Sequence, residues 1–186
     1  MPELVSGIHD LIMECRRPQV VDAREGGHDV EDFMTEPALA FEDFRPGDVA
    51  TYGGVTVDRD DMLEFAREFD PQPMHLSEDA ARGSMLGELI ASGWYAAALL
   101  MRMNCDAFLL DALSLGSPGA DSVEWRAPVR AGDRLTVRRE VLSARGVPGR
   151  PEAGLVKFSF EVLNQNDVVV MRQESTKLIG RRARAA

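Results

Sequence analysis

The sequence predicts an α+β chain in which an antiparallel sheet wraps around one long hydrophobic helix. Three observations predict it. A helical pattern follows Asp58, and an apolar run spans Ile90 to Met101. From Ser122 onward the pattern switches to short strands separated by Gly, Pro, Asn and Asp. Helical and strand runs are therefore segregated along the chain, unlike the alternation of a doubly wound sheet.

Residues 1–37 mix charge with Gly and Pro and are expected to form a partly ordered arm that carries His9 and His28. The domain is expected over 38–180, with a basic tail over 181–186. Within it, Phe41–Asp48 leads into the first strand through a Pro46-Gly47-Asp48 turn. Val49–Tyr52 and Val55–Val57 read as a strand bent at Gly53-Gly54. Asp58 caps a helix whose inner face is Met62, Phe65, Ala66 and Phe69. Pro71 and Pro73 stop that helix at Asp70, and Asp70–His75 is expected to run as a stiff, extended connector. Ser77 caps a short helix ended by Gly83, and Ser84–Gly87 is an apolar link. The central helix is expected from Ser92 to Asp111, buried on every side in its first turns apart from Arg102. Ala96, Ala97 and Ala98 would permit close approach of a sheet or a partner helix. Leu115–Gly119 and Gly146–Gly154 read as loops. Four strands follow the helix, the last two joined at Asn164–Asp167.

A chain of 186 residues with 45% hydrophobic and 28% charged composition suits one soluble domain with an ample core. The net charge of −10 argues against general nucleic-acid binding, which needs clustered Lys and Arg. Arg126, Arg130, Arg134, Arg138, Arg139, Arg145 and Arg150 give local basic density, read as a solvated strand face. Cys15 and Cys105 belong to no metal-spaced pattern, and only three histidines occur, so no metal site is expected. The longest apolar run, near Trp94–Met101, is too short to span a bilayer. Together with the absence of a basic-then-apolar start, this predicts a cytoplasmic protein.

The candidate chemistry lies in Asp70-Pro71-Gln72-Pro73-Met74-His75 and in the helix that begins at Ser92-Gly93. Asp supplies an acceptor or base, and His is the side chain whose charge moves most easily near neutral pH. A helix start offers unpaired backbone N–H groups. A base, an acid and an N–H donor can therefore converge on one substrate. The plainer reading of the same residues is a helix-end aspartate and a surface-loop histidine.

Phe69–His75, Leu89–Trp94 and the turn Pro128-Val129-Arg130-Ala131-Gly132-Asp133 together resemble the MaoC-like acyl dehydratases, or (R)-specific enoyl-CoA hydratases. The resemblance covers roughly residues 40–180 and implies a hot-dog fold. It implies that Asp70 and His75 are catalytic and that the Gly93 amide faces a thioester oxygen. Gln72, Ser92, Trp94 and Met85 are then expected to contact the substrate. It also implies an acyl-CoA or acyl-carrier thioester substrate, no cofactor beyond that coenzyme A, and a homodimer or higher homo-oligomer. The family pattern often has Asn where Gln72 stands. Met101 replaces a serine that in some members bonds the catalytic aspartate. The competing expectations are a hot-dog acyl-CoA thioesterase and a non-catalytic thioester-binding protein.

Overall fold

The computed structural model describes residues 38–182. The expected arm over 1–37, with Cys15, His9 and His28, lies outside the described residues, as does most of the 181–186 tail. Five strands make one sheet: β1 (Val49–Thr56), β2 (Ser114–Trp125), β3 (Arg134–Val147), β4 (Arg150–Leu163) and β5 (Val169–Gly180). The spatial order is β1-β3-β4-β5-β2, and all neighbours are antiparallel. Among the described residues four α-helices precede β2: α1 (Arg59–Phe69), α2 (Pro73–Leu76), α3 (Glu78–Ala81) and α4 (Gly93–Asn104).

The strand pattern explains the core. β4 buries Val156, Phe158, Phe160 and Val162 at a period of two, and β3 buries Leu135, Val137 and Val141. Against this face α4 packs Tyr95, Ala96, Leu100 and Met103. Burying a ring such as Phe158 is worth roughly 1.5–3 kcal/mol. β1 bends where Gly53 and Gly54 adopt φ of +98° and +107°, with a register shift before Val55. A Cβ at Gly53 would collide with Met103 of α4, so the same glycine serves the bend and the close helix approach. Asp133 closes the turn before β3: its carboxylate accepts from Arg130 N–H at 2.8 Å and from Gln165 Nε2 at 2.9 Å. No helix among the described residues is long and apolar enough to cross a membrane.

Several sequence expectations need correction. Leu115–Gly119 is not a loop but part of β2, an edge strand with repeated register shifts; an edge tolerates Pro118 because its N–H side need not pair. Gly146–Gly154 is likewise strand, folded at a tight Pro148-Gly149 turn with Gly149 at φ +77°. The central helix ends at Asn104 and widens into a π turn over Cys105–Leu109, which delivers Phe108 to Phe44 and Phe158. Its first turns are not buried all round, because the sheet covers one side only: Trp94, Ala98 and Met101 are exposed in the described chain. Phe69, expected inside, is 64% exposed at the helix end, resting on Phe65. Arg139 departs from the solvated face. It is half-buried with its guanidinium 4.7 Å from the Phe108 ring centre, and burial pulls its pKa down.

Candidate active site

Asp70 is the C-cap of α1, whose Asp58 carboxylate accepts from Asp60 and Asp61 N–H at the other end. Its own N–H still bonds Ala66 O, so the residue is fixed to the helix while its backbone leaves it. Pro73 does not extend the connector as expected. It occupies the first position of α2, where its fixed φ suits a helix and its missing N–H costs nothing. The segment is thus extended at Gln72 and helical from Pro73, and the single turn carries His75 inward to 5% exposure.

The His75 ring is held from behind. Nδ1 lies 3.0 Å from Ile90 O, and a carbonyl can only accept, so Nδ1 carries the proton. In the neutral ring Nε2 is then the open acceptor, and it lies 3.6 Å from Asp70 Oδ2. The two side chains therefore face each other across a gap that one water oxygen can bridge.

Asp70 has two further partners. Ser92 Oγ donates to Oδ2 at 2.6 Å and Gln72 Nε2 donates to Oδ1 at 2.7 Å. These donors hold the Asp70 pKa below the ordinary 3.8, the Ser92 bond foremost, then Gln72, with desolvation opposing and His75 adding a smaller pull. The carboxylate is therefore ionised at neutral pH. Gln72 and Ser92, expected to contact substrate, line the cavity and direct their donors at Asp70. Met101 has no part in this: the serine that bonds Asp70 is Ser92, the N-cap of α4.

Ser92 does two jobs with one oxygen. It donates to Asp70 and accepts from Trp94 N–H at 3.2 Å. Ser92→Ala is expected to lose a cap worth about 1 kcal/mol and to raise the Asp70 pKa. The sign follows from the depressed folded value. Asp70 contributes stability above its unfolded pKa, and that contribution fades as pH falls through the folded pKa. Removing the donor moves this loss to higher pH, readable as an upward shift in the carboxyl titration of Asp70 by NMR and a lower melting temperature.

Gly93 opens α4, and its N–H donates no hydrogen bond among the described residues. It lines a cavity of about 460 Å³ with Asp70, His75, Met85, Ala91 and Trp94. Met85 is 98% exposed at the rim. Among the lining residues that were not anticipated are Trp125 and Arg126. They come from the end of β2 and the residue after it, more than 30 positions from Gly93, and no local spacing signals that approach. Of the basic residues noted in the sequence, Arg126 alone is among the cavity's lining; it is paired with Glu124, as Arg130 is with Glu88 and Arg138 with Glu161. Among the described residues, no group of three or more His, Cys, Asp or Glu could hold a metal ion.

Comparison with known proteins agrees with this fold. A family model described as "MaoC like domain" matches residues 44–157. An uncharacterized protein of Bacillus subtilis, YdeM, is 31% identical over 144 residues, 77% of this chain and all of that protein. The MaoC-like dehydratase of Rhodospirillum rubrum is 36% identical, with a TM-score of 0.70 over 78% of this chain and 99% of that one. The (R)-hydratase PhaJ1 of Pseudomonas aeruginosa shares the fold at 23% identity, with a TM-score of 0.62 over 80% of this chain and 92% of that one. A five-stranded antiparallel sheet around α4, with a family match across most of the domain, means that this chain belongs to the MaoC-like hot-dog family.

Proposed function

We propose that the chain hydrates trans-2-enoyl thioesters to (R)-3-hydroxyacyl thioesters, or runs the reverse dehydration. The observation that carries this reading is the Asp70–His75 pair, 3.6 Å apart beside the free amide of Gly93 in one cavity.

Addition of water to the double bond has three requirements. Water must give up a proton as its oxygen attacks the β-carbon. The α-carbon must receive a proton. The enolate oxygen that forms between those events must be stabilised. In the proposal Asp70 and His75 hold one water. His75 Nε2, the acceptor of the neutral ring whose Nδ1–H bonds Ile90 O, takes its proton while Asp70 aims it and stabilises the resulting imidazolium. The hydroxide bonds to the β-carbon and the carbon–carbon π pair moves onto the thioester carbonyl. The enolate then takes the proton at the α-carbon, restoring the carbonyl. Gly93 N–H, with the α4 dipole behind it, would bind the oxygen; one such donor is worth about 3–4 kcal/mol. The atoms of water are the only addition, and no electron carrier is called for, so coenzyme A enters only as part of the substrate. Arg126 is the lining cation, and in the proposal its guanidinium, paired with Glu124, would turn to the phosphates.

A carboxylate on the central helix, which thioester hydrolysis would use, is not part of this cavity. Asp106 bonds Arg102 at 2.9 Å and is not among the lining residues. The exposed Trp94, Ala98 and Met101 lie at helical spacing on one side of α4, and we propose that a second copy of the chain covers them. Light scattering should then give twice the chain mass of 20.5 kDa.

The deciding experiment offers crotonyl-CoA and follows enoyl absorbance and free thiol together. Loss of the double bond without thiol is expected. Thiol release would make the chain a thioesterase, and saturable binding with neither change would make it a non-catalytic binder.

A further inference from the structure

Gly93 is a glycine for a reason other than helix start. A Cβ built there would meet three atoms of Trp125, and all three belong to the pyrrole side of the indole: Nε1 nearest, then Cε2, then Cδ1 at 2.8 Å. The pyrrole ring of the indole, its N–H included, is therefore the part of Trp125 nearest Gly93, with its face toward the Cβ position. Trp125 Nε1 makes no hydrogen bond among the described residues, and neither does Gly93 N–H. Both residues line the same cavity.

The distances allow both donors to serve one atom. An amide N and its own Cβ position are about 2.5 Å apart. Nε1 lies closer to that Cβ position than the 2.8 Å of Cδ1. The two nitrogens are thus no more than about 5.3 Å apart. Two N–H groups that each bond at about 2.9 Å can share an oxygen across as much as ~5.8 Å. The indole is a donor only, with no lone pair for the Gly93 N–H and no proton to release near neutral pH.

Trp125 is 49% exposed in the described chain, and its backbone and ring each have a neighbour. It closes β2 opposite Met171 of β5, and its ring stands edge-on to Trp94 at 5.2 Å and 79°. We propose that Trp125 Nε1–H is a second hydrogen-bond donor to the thioester oxygen, completing with Gly93 N–H a two-donor oxyanion site. This rests on the hydration reading above and extends it to a residue on another element. A fixed donor positioned before the reaction is the kind that stabilises charge as it develops, because nothing must reorient when the enolate forms.

Trp125→Phe tests it, since the aromatic bulk against Gly93 and Trp94 is kept and the N–H is removed. With crotonyl-CoA, kcat is expected to fall about 10²-fold, with KM within a few-fold and the melting temperature unchanged. Infrared difference spectra of bound butyryl-CoA labelled with ¹³C at the carbonyl supply a readout that packing alone would not move. The carbonyl band should lie at lower frequency in the wild-type chain than in Trp125→Phe. Wild-type kcat and an unshifted band in the variant would overturn the proposal while leaving hydration standing. A wild-type chain that leaves crotonyl-CoA unchanged would defeat the hydration reading, and the band comparison would still decide the donor. A wild-type chain that binds neither thioester would overturn both.

Discussion

Asp70→Asn is expected to lower kcat for enoyl-thioester hydration by roughly 10²–10⁴-fold with little change in stability. The substitution keeps shape and volume but removes the charge. An amide at this position cannot stabilise an imidazolium at His75 Nε2, 3.6 Å away. It still offers one oxygen to Ser92 Oγ–H, the shorter of the two bonds Asp70 receives. The new NH₂ then opposes Gln72 Nε2, but Gln72 is exposed and can turn its own oxygen inward. The cost of the exchange should be about 1 kcal/mol or less. Initial rates on crotonyl-CoA, with a thermal melt of the same sample, separate the two effects. A variant with wild-type kcat would remove Asp70 from the mechanism.

Gly93→Ala is expected to cost both fold and activity, against the ordinary rule that Gly→Ala helps a helix by about 1 kcal/mol. Here the added methyl enters space held by the Trp125 indole. Overpacking of this kind costs about 1–3 kcal/mol, and relief requires the ring or the start of α4 to move. Either movement shifts the Gly93 amide relative to Asp70 and His75, so kcat should drop by about 10²-fold or more. A double-mutant cycle shows whether the ring is the cause. Urea unfolding of Gly93→Ala, Trp125→Ala and the double variant should give strong coupling, with the double variant more stable than the two single costs add up to. Simple additivity would mean that the indole does not set the cost at position 93.

The Asp70–His75 pair was legible in the sequence because prolines leave a strong local mark. Pro71 and Pro73 end α1 at Asp70 and fix a short span to His75. The same mark misled about shape, since a proline that breaks one helix also suits the first turn of the next, as Pro73 does for α2. Composition misled at Leu115–Gly119 and Gly146–Gly154 for a related reason. Gly and Pro are read as loop, yet an edge strand accepts Pro118 and a tight hairpin needs Pro148-Gly149. Ser92 was legible as the start of a helix, but its bond to Asp70 spans 22 positions, and no local pattern encodes it. Trp125 was missed altogether. Its place depends on β2 lying beside β5 at the far edge of the sheet, a pairing set by the whole topology. The open face of α4 is similar: Trp94, Ala98 and Met101 read as core by hydropathy, and only the one-sided coverage by the sheet exposes them.

The oxygen of Ser92 has a consequence for anyone who would alter this protein. Because a single hydroxyl caps the start of α4 and holds the Asp70 carboxylate, a change at that position is expected to move heat tolerance and, in the proposed reaction, turnover together. Gains in one trait without loss of the other are therefore expected from positions that touch neither the helix start nor the carboxylate.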